Sequence, residues 1–301
     1  MMIRYVYFFF VFFICCHIAH AEEKKIKVLI VDGFSNHDWK HTTYCIRSIL
    51  KQSSLFDVSV STFPKKEASE KQATWNPEFK KYDVVIQTCN DIGGGPRWPR
   101  MVELALEEFV QKGGGLFIFH SANNAFPKWK EYNRMIGLGW RNKNFGWAII
   151  IDSNGQIIRL PAGEGHGTGH GKRVNALLTR MGDHPIHAGM PRQWVAADIE
   201  IYRYARGPAE NLTVLSYAKD SKTGLNFPIE WTVDYGKGRV YNSTLGHVWK
   251  DQKEPKGIRC AGFQTLLPRV IQWLSHRPVS STLPKDFPTN VPSLRPYSIL
   301  K

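Results

Sequence analysis

Five histidines stand where side chains could meet. His37 follows an apolar run in Gly33-Phe-Ser-Asn-His-Asp-Trp39, and His120 closes the run Leu116-Phe-Ile-Phe. His247 ends Thr244-Leu-Gly-His, and His166 and His170 lie in the glycine-rich segment Gly165-His-Gly-Thr-Gly-His-Gly171. Converging imidazoles have three uses: general acid and base near neutral pH, ligation of zinc or another transition metal with a carboxylate, or hydrogen bonding to sugar hydroxyls. Any single one can equally be a structural residue. His166 and His170 would share a helix face, but the surrounding glycines forbid a stable helix, which leaves a metal turn, a lid or an ordinary surface loop. Carboxylates near these positions are Asp32, Asp38, Asp91, Glu164 and Glu230. Asp38 is also placed to cap the helix that follows.

Other chemistries lack their motifs. A Ser or Cys nucleophile sits on a tight elbow, usually G-x-S/C-x-G. Here the corresponding strand end reads Phe119-His120-Ser121-Ala122, with His120 at the apex and no glycines flanking Ser121. Cys89 ends another strand but is followed by Asn90-Asp91. No G-x-G-x-x-G follows the first strand, so no nucleotide cofactor is expected.

The elements that must position these groups alternate. Strands are expected at Ile26–Val31, Val58–Phe63, Tyr82–Thr88 and Leu116–Phe119, and helices at Thr42–Lys51 and Trp98–Gln111, with a loop over Pro64–Glu78. Runs apolar on both faces, separated by helices, imply an α/β fold with a mostly parallel sheet. Ligands then bind beyond the carboxyl ends of the strands, where Asp32 to Trp39, Cys89 to Gly95 and His120 to Asn124 fall, Asn123 among them. Farther on, a helix is expected at Trp129–Ile136, and strands at Trp147–Ile151, Ile199–Tyr204, Thr213–Tyr217, Ile229–Val233 and Arg239–Asn242. A last helix follows at Phe263–Leu274.

The ends and composition bound the rest. Arg4, the apolar run Tyr5 to Ile14 and Ala19-His20-Ala21 form a secretory signal pattern over residues 1–21. The run is shorter than the roughly 20 residues of a spanning helix, and neither Cys15 nor Cys16 follows the small residue that a lipoprotein signal needs. A periplasmic or extracellular location is expected, with a mature domain over 22–276. Pro278, Pro284, Pro288, Pro292 and Pro296 mark 277–301 as an extended tail. The net charge is +14, but the lysines are scattered and no nucleic-acid-binding motif occurs, so nucleic acid is not an expected partner. Ten tryptophans hint at stacking on sugar rings. Cys45, Cys89 and Cys260 allow one disulfide and a free thiol, or three buried thiols.

Taken in order, several segments resemble the ThuA-like (trehalose utilisation) family from about Lys27 to Ser275. They are His37-Asp38-Trp39, Lys112 to His120, Trp129 and Tyr132 with Gly137, the Gly165–Gly171 loop, His184-Pro185-Ile186 with Gly189-Met190-Pro191, and Trp231 through Tyr235–Val240 to His247. The resemblance implies a flavodoxin-like fold related to class I glutamine amidotransferases without the catalytic cysteine. It implies a link to disaccharide use, often beside sugar dehydrogenases that make 3-keto sugars. It marks His37, His120 and His247 as catalytic or metal-ligating residues, with Trp39 as a wall. Asp38, Asn123, Glu230, His166 and His170 are the accompanying candidates for substrate contact. Where relatives carry Asp-Glu-Leu-Tyr, this chain has Asp198-Ile199-Glu200-Ile201-Tyr202, which displaces a carboxylate by one position or gives it another role. The expected function is action on a disaccharide, glycoside or 3-keto sugar as a lyase, hydrolase or isomerase, with a divalent metal such as zinc as candidate cofactor. A non-catalytic carbohydrate-binding or accessory protein of the envelope is the alternative, and a homo-oligomer is compatible with either.

Overall fold

A computed structural model of the chain describes residues 24–65 and 69–297. The expected signal segment lies outside the described residues. In chain order the elements are β1 (Ile26–Asp32), α1 (Trp39–Leu50), β2 (Phe56–Thr62), α2 (Ser69–Thr74), β3 (Val84–Gln87), α3 (Arg100–Gln111), β4 (Gly115–Phe119) and α4 (Lys130–Ile136). The remainder comprises β5 (Trp147–Ile151), β6 (Ile157–Leu160), β7 (Val174–Arg180), β8 (Gln193–Ile199), β9 (Arg206–Gly207), β10 (Leu212–Lys219), β11 (Asn226–Tyr235), β12 (Gly238–Ser243), α5 (Lys256–Arg259) and α6 (Ala261–Leu274).

Period-2 alternation in β1 builds two cores at once. Val28 and Ile30 face one side, with Ile46, Ile49 and Leu50 of α1 and Val270, Ile271 and Leu274 of α6. Leu29 and Val31 face the other, with Leu106 and Val110 of α3 and the Trp129–Tyr132 aromatic group. A strand buried on both faces needs helices above and below, which is the α/β layering. Parallel pairing gives the order β2-β1-β3-β4-β12, the 2-1-3-4-5 order of flavodoxin-like sheets with β12 in fifth place. Beyond β12 the sheet continues antiparallel through β11, β10, β7 and β8. The central sheet is thus mixed, with its parallel half under the candidate site.

Local chemistry sets the ends. The Asp38 carboxylate accepts from the His41 amide at 3.0 Å and caps α1, satisfying one of the donors a helix start leaves free. Gly33, at φ 131°, lets the chain leaving β1 pass Phe63, whose backbone a Cβ would meet at 2.6 Å. At the end of β4, His120 itself adopts φ 45° and opens a 3-10 turn over His120–Asn124. The strained elbow forms without flanking glycines, and a histidine takes its apex. A left-handed non-glycine backbone costs roughly 1–2 kcal/mol, so His120→Gly is expected to be more stable than His120→Ala by about 1 kcal/mol. Urea denaturation of the pair measures this, and the reverse order would remove the strain argument.

Two sequence expectations change, and the cysteine alternatives resolve to one. The stretch 69–74 within the expected loop is helical. The strand expected over Ile199–Tyr204 instead ends at Ile199. Asp198, at φ 50°, bends the chain there, and Glu200, Ile201 and Tyr202 are all buried without pairing as a strand. Burial on every side mimics a strand pattern. The cysteines are three buried free thiols. Segment 277–297 packs back on the body: Arg269 donates to the Thr282 carbonyl, Val195 N–H to the Pro288 carbonyl, and the Tyr297 hydroxyl lies 2.9 Å from His41 Nε2.

Candidate functional site

The carboxyl ends of β1, β4 and β12 deliver three rings to one point. The ring centroids of His37, His120 and His247 are pairwise 5.0 Å apart. Glu200 completes the group, its Oε2 3.6 Å from His120 Nε2 and its Oε1 3.3 Å from His247 Nε2. One ligating atom from each of the four lies within 4.8 Å of the others, and all four residues are buried. Gly246, at φ 83°, permits this closure, since a Cβ there would meet the Phe119 ring at 2.6 Å.

The hydrogen bonds fix where the ring protons are. His120 Nδ1 lies 2.8 Å from the Thr244 carbonyl, which only accepts, so the proton is on Nδ1 and Nε2 is bare. His37 is fixed through two asparagines. The Ile92 backbone N–H donates to Asn90 Oδ1, so Asn90 Nδ2 is the donor to Asn36 Oδ1. That oxygen then accepts from His37 Nδ1 at 2.9 Å, leaving His37 Nε2 bare. Both bare nitrogens are buried without a partner. Such rings, each held through the other nitrogen, are what metal ligation requires. With a carboxylate they form an N/O donor set suited to a divalent transition metal.

Electrostatics agree. Burial, then the neighbouring His120 and His247 rings, holds His37 down at about 2. Burial, then His247, lowers His120 to about 4. Burial alone would raise the Glu200 carboxyl, but the hydrogen bond from His247 and the nearby His120 and His170 rings bring it to about 2. At neutral pH His37 and His120 are therefore neutral imidazoles beside a carboxylate. The Cys89 thiol is pushed well up by burial and then by Asp32, which suits an inert core residue.

A hollow of about 510 Å³ opens over the group, lined by His170, Gly171, Lys172, Arg173, Asp198, Glu200, His247 and Trp249. Trp249 is 43% exposed; its ring lies 4.9 Å from that of His37 and stacks at 6.1 Å on that of His247. A larger hollow of about 610 Å³ lies at the amino ends of β3 and β4, beside Tyr82, Phe109 and His276. It is at the far end of the sheet from the histidines.

With this geometry in place, known proteins are informative. The family model described as trehalose utilisation, ThuA, matches residues 27–274. The chain belongs to the ThuA family. A solved ThuA-like protein from Parabacteroides merdae is similar at 34% identity and TM-score 0.82, covering 90% of this chain and 98% of its own. A cytoplasmic protein from Salmonella typhimurium aligns at 13% identity and TM-score 0.45, covering 83% and 99% of the two chains. A GMP synthase subunit from Thermoplasma acidophilum aligns at 8% and 0.41, covering 85% and 96%. No curated protein matches this chain. Family membership carries a carbohydrate-related role.

Within this ThuA-family site the remaining sequence candidates divide. His170 reaches the rim: its Nδ1 donates to the Gly171 carbonyl, and its Nε2 lies 3.6 Å from Glu200 Oε1. Trp39 lines a narrow cleft behind His37 and His120. Asp38 caps α1. Asn123 is wholly buried and lines neither that cleft nor the hollow. His166 sits edge-on to Tyr204 and gives its carbonyl to Arg206, which pins the glycine-rich loop. Glu230 is not brought to the site. It lies in β11, fully buried, accepting from His187, Ser216 and Tyr241. Its strand neighbours face the interior on both sides, so it has no route to a ligand. The residues missed were Glu200, Arg173 and Trp249. The Asp198–Tyr202 departure flagged Glu200 but could not choose it over Asp198, and Trp249 stood two positions past His247.

Proposed function

We propose that this chain is an exported carbohydrate-active enzyme that cleaves or isomerises a glycoside bearing a keto group, such as a 3-keto disaccharide. The observation that carries this is the meeting of two bare imidazole nitrogens, His37 Nε2 and His120 Nε2, with Glu200, which together with His247 lines an open hollow. His37, His120, His247 and Glu200 are the residues that could hold a divalent metal such as zinc. When bound, such an ion supplies a Lewis acid for a carbonyl oxygen.

The chain's own residues account for the rest. Trp249 offers a ring face to the apolar side of a sugar. A keto group acidifies the neighbouring C–H. His170, on the rim, removes that proton through Nε2. The released electron pair forms C=C as the bond to the glycosidic oxygen breaks, and His170 returns the proton to the departing oxygen. A sugar dehydrogenase that oxidises the ring hydroxyl is the class of reaction that must supply such a substrate.

Incubation of the purified protein with 3-keto disaccharides, with and without added zinc, tests the reading. Turnover that needs the metal and falls on His170→Ala supports it. Sugar binding without turnover, undisturbed by His120→Ala, would leave a carbohydrate-binding protein in its place. Trp249→Ala is expected to raise KM about tenfold with kcat little changed, the pattern of lost uniform binding. Steady-state kinetics measure it, and an equal fall in kcat would move Trp249 into the chemical step.

A further inference from the structure

We propose that the metal centre uses three ligands, His37, His120 and Glu200, and that Arg173 holds His247 outside it as an N–H donor. This rests on the metal reading above and narrows it. Arginine has donors only. Arg173 Nη1 lies 3.0 Å from His247 Nδ1 and 3.1 Å from Asp198 Oδ2. His247 Nδ1 must therefore accept, and its proton sits on Nε2, directed at Glu200 Oε1 at 3.3 Å. That is the opposite tautomer from His37 and His120. To ligate through Nε2, His247 would have to move its proton to Nδ1, head-on to the Arg173 N–H.

Arg173 is anchored against that change. Asp198 accepts from it while the Asp198 backbone N–H donates to Asn175 Oδ1 at 3.1 Å. The two carboxylate oxygens of Glu200 then have separate tasks. Oε1 takes the His247 N–H, and Oε2, on the His120 side at 3.6 Å, is the ligand atom. Arg173 is thus a positioning residue. Three protein ligands leave a coordination position unfilled by the chain, as catalytic rather than structural centres do, and of the three Glu200 lines the hollow.

The test measures metal content and affinity for Zn²⁺ and Co²⁺ in the full mature chain, with circular dichroism confirming each fold. His37→Ala, His120→Ala and Glu200→Gln are expected to lose about 100-fold or more in affinity, a loss at or above that of removing a supporting group around a metal. His247→Gln, whose amide can still donate to Glu200, is expected to keep one metal per chain within about tenfold of the wild type, the low end for a group that supports a ligand. Arg173→Met frees His247 to change tautomer and join, so its Co²⁺ absorption spectrum shifts. Arg173→Lys, which still donates, and the Arg173→Met/His247→Gln double variant keep the wild-type spectrum. Loss of metal in His247→Gln equal to that in His120→Ala overturns the three-ligand set, as does an unchanged spectrum in Arg173→Met, and both leave the metal reading intact. A wild-type chain that binds neither ion overturns that reading as well.

Discussion

Glu200→Gln is expected to abolish stoichiometric metal binding, with an affinity loss of about 100-fold or more and turnover falling with it. The side chain keeps its shape, so the cause is charge and proton inventory. Among the described residues, Glu200 is the carboxylate of the four-residue group. An amide replaces its negative charge with a neutral oxygen and an NH₂. That NH₂ would face the bare Nε2 of His120 and occupy the lone pair a metal needs. Glu200→Asp keeps the charge but retracts it by one methylene and should fall between. Elemental analysis after dialysis, on protein with an unchanged circular dichroism spectrum, reads the effect. One metal per chain in Glu200→Gln would remove the carboxylate from the centre.

Glu230→Ala is expected to cost about 3–5 kcal/mol of stability, the lower part of the range for leaving three buried donors unpaired at about 1–3 kcal/mol each. Glu230 and His187 are both 0% exposed. Removing the carboxylate leaves His187 Nε2 without its acceptor at 3.3 Å, and strips the Ser216 and Tyr241 hydroxyls of theirs at 2.5 and 2.6 Å. Each buried donor so orphaned carries its full desolvation cost. Metal content per folded molecule should not change, because this network shares no residue with the site. Chemical denaturation and elemental analysis together separate the two effects, and a loss below about 1 kcal/mol would show that the network contributes little.

The pH dependence has a definite sign. Burial alone would raise the Glu230 carboxyl, but His187 beside it and the two hydroxyls outweigh burial and lower it. A depressed carboxyl contributes stability that is present above its unfolded value, about 4.3, and is lost as pH falls through the folded value. In wild-type protein this loss should steepen acid unfolding below about pH 4, and in Glu230→Ala that component should vanish.

Much of this was legible in order along the chain. Continuous apolar runs flanked by helices specified the strands β1, β3 and β4, because a run buried on both faces has few other homes. Asp38 announced the start of α1 through its capping chemistry. His37, His120 and His247 were marked by standing at strand ends, where such sheets bind ligands. The glycine-poor elbow at His120 and the false strand over Ile199–Tyr204 were not legible. In both, tertiary packing overrides local preference: neighbours hold a costly backbone angle, or bury every side of an unpaired segment.

The amino-acid order alone determined the layered α/β fold and which imidazoles end its strands, since periodicity and capping act over a few residues. The tertiary structure decided that three of those rings lie pairwise 5.0 Å apart, that Glu200 and not Glu230 joins them, and which ring nitrogen carries each proton. Those outcomes depend on groups distant in sequence, such as the Thr244 carbonyl on His120 and the Arg173 guanidinium on His247. A proton's position follows the partner across the fold, and only strand order brings that partner near.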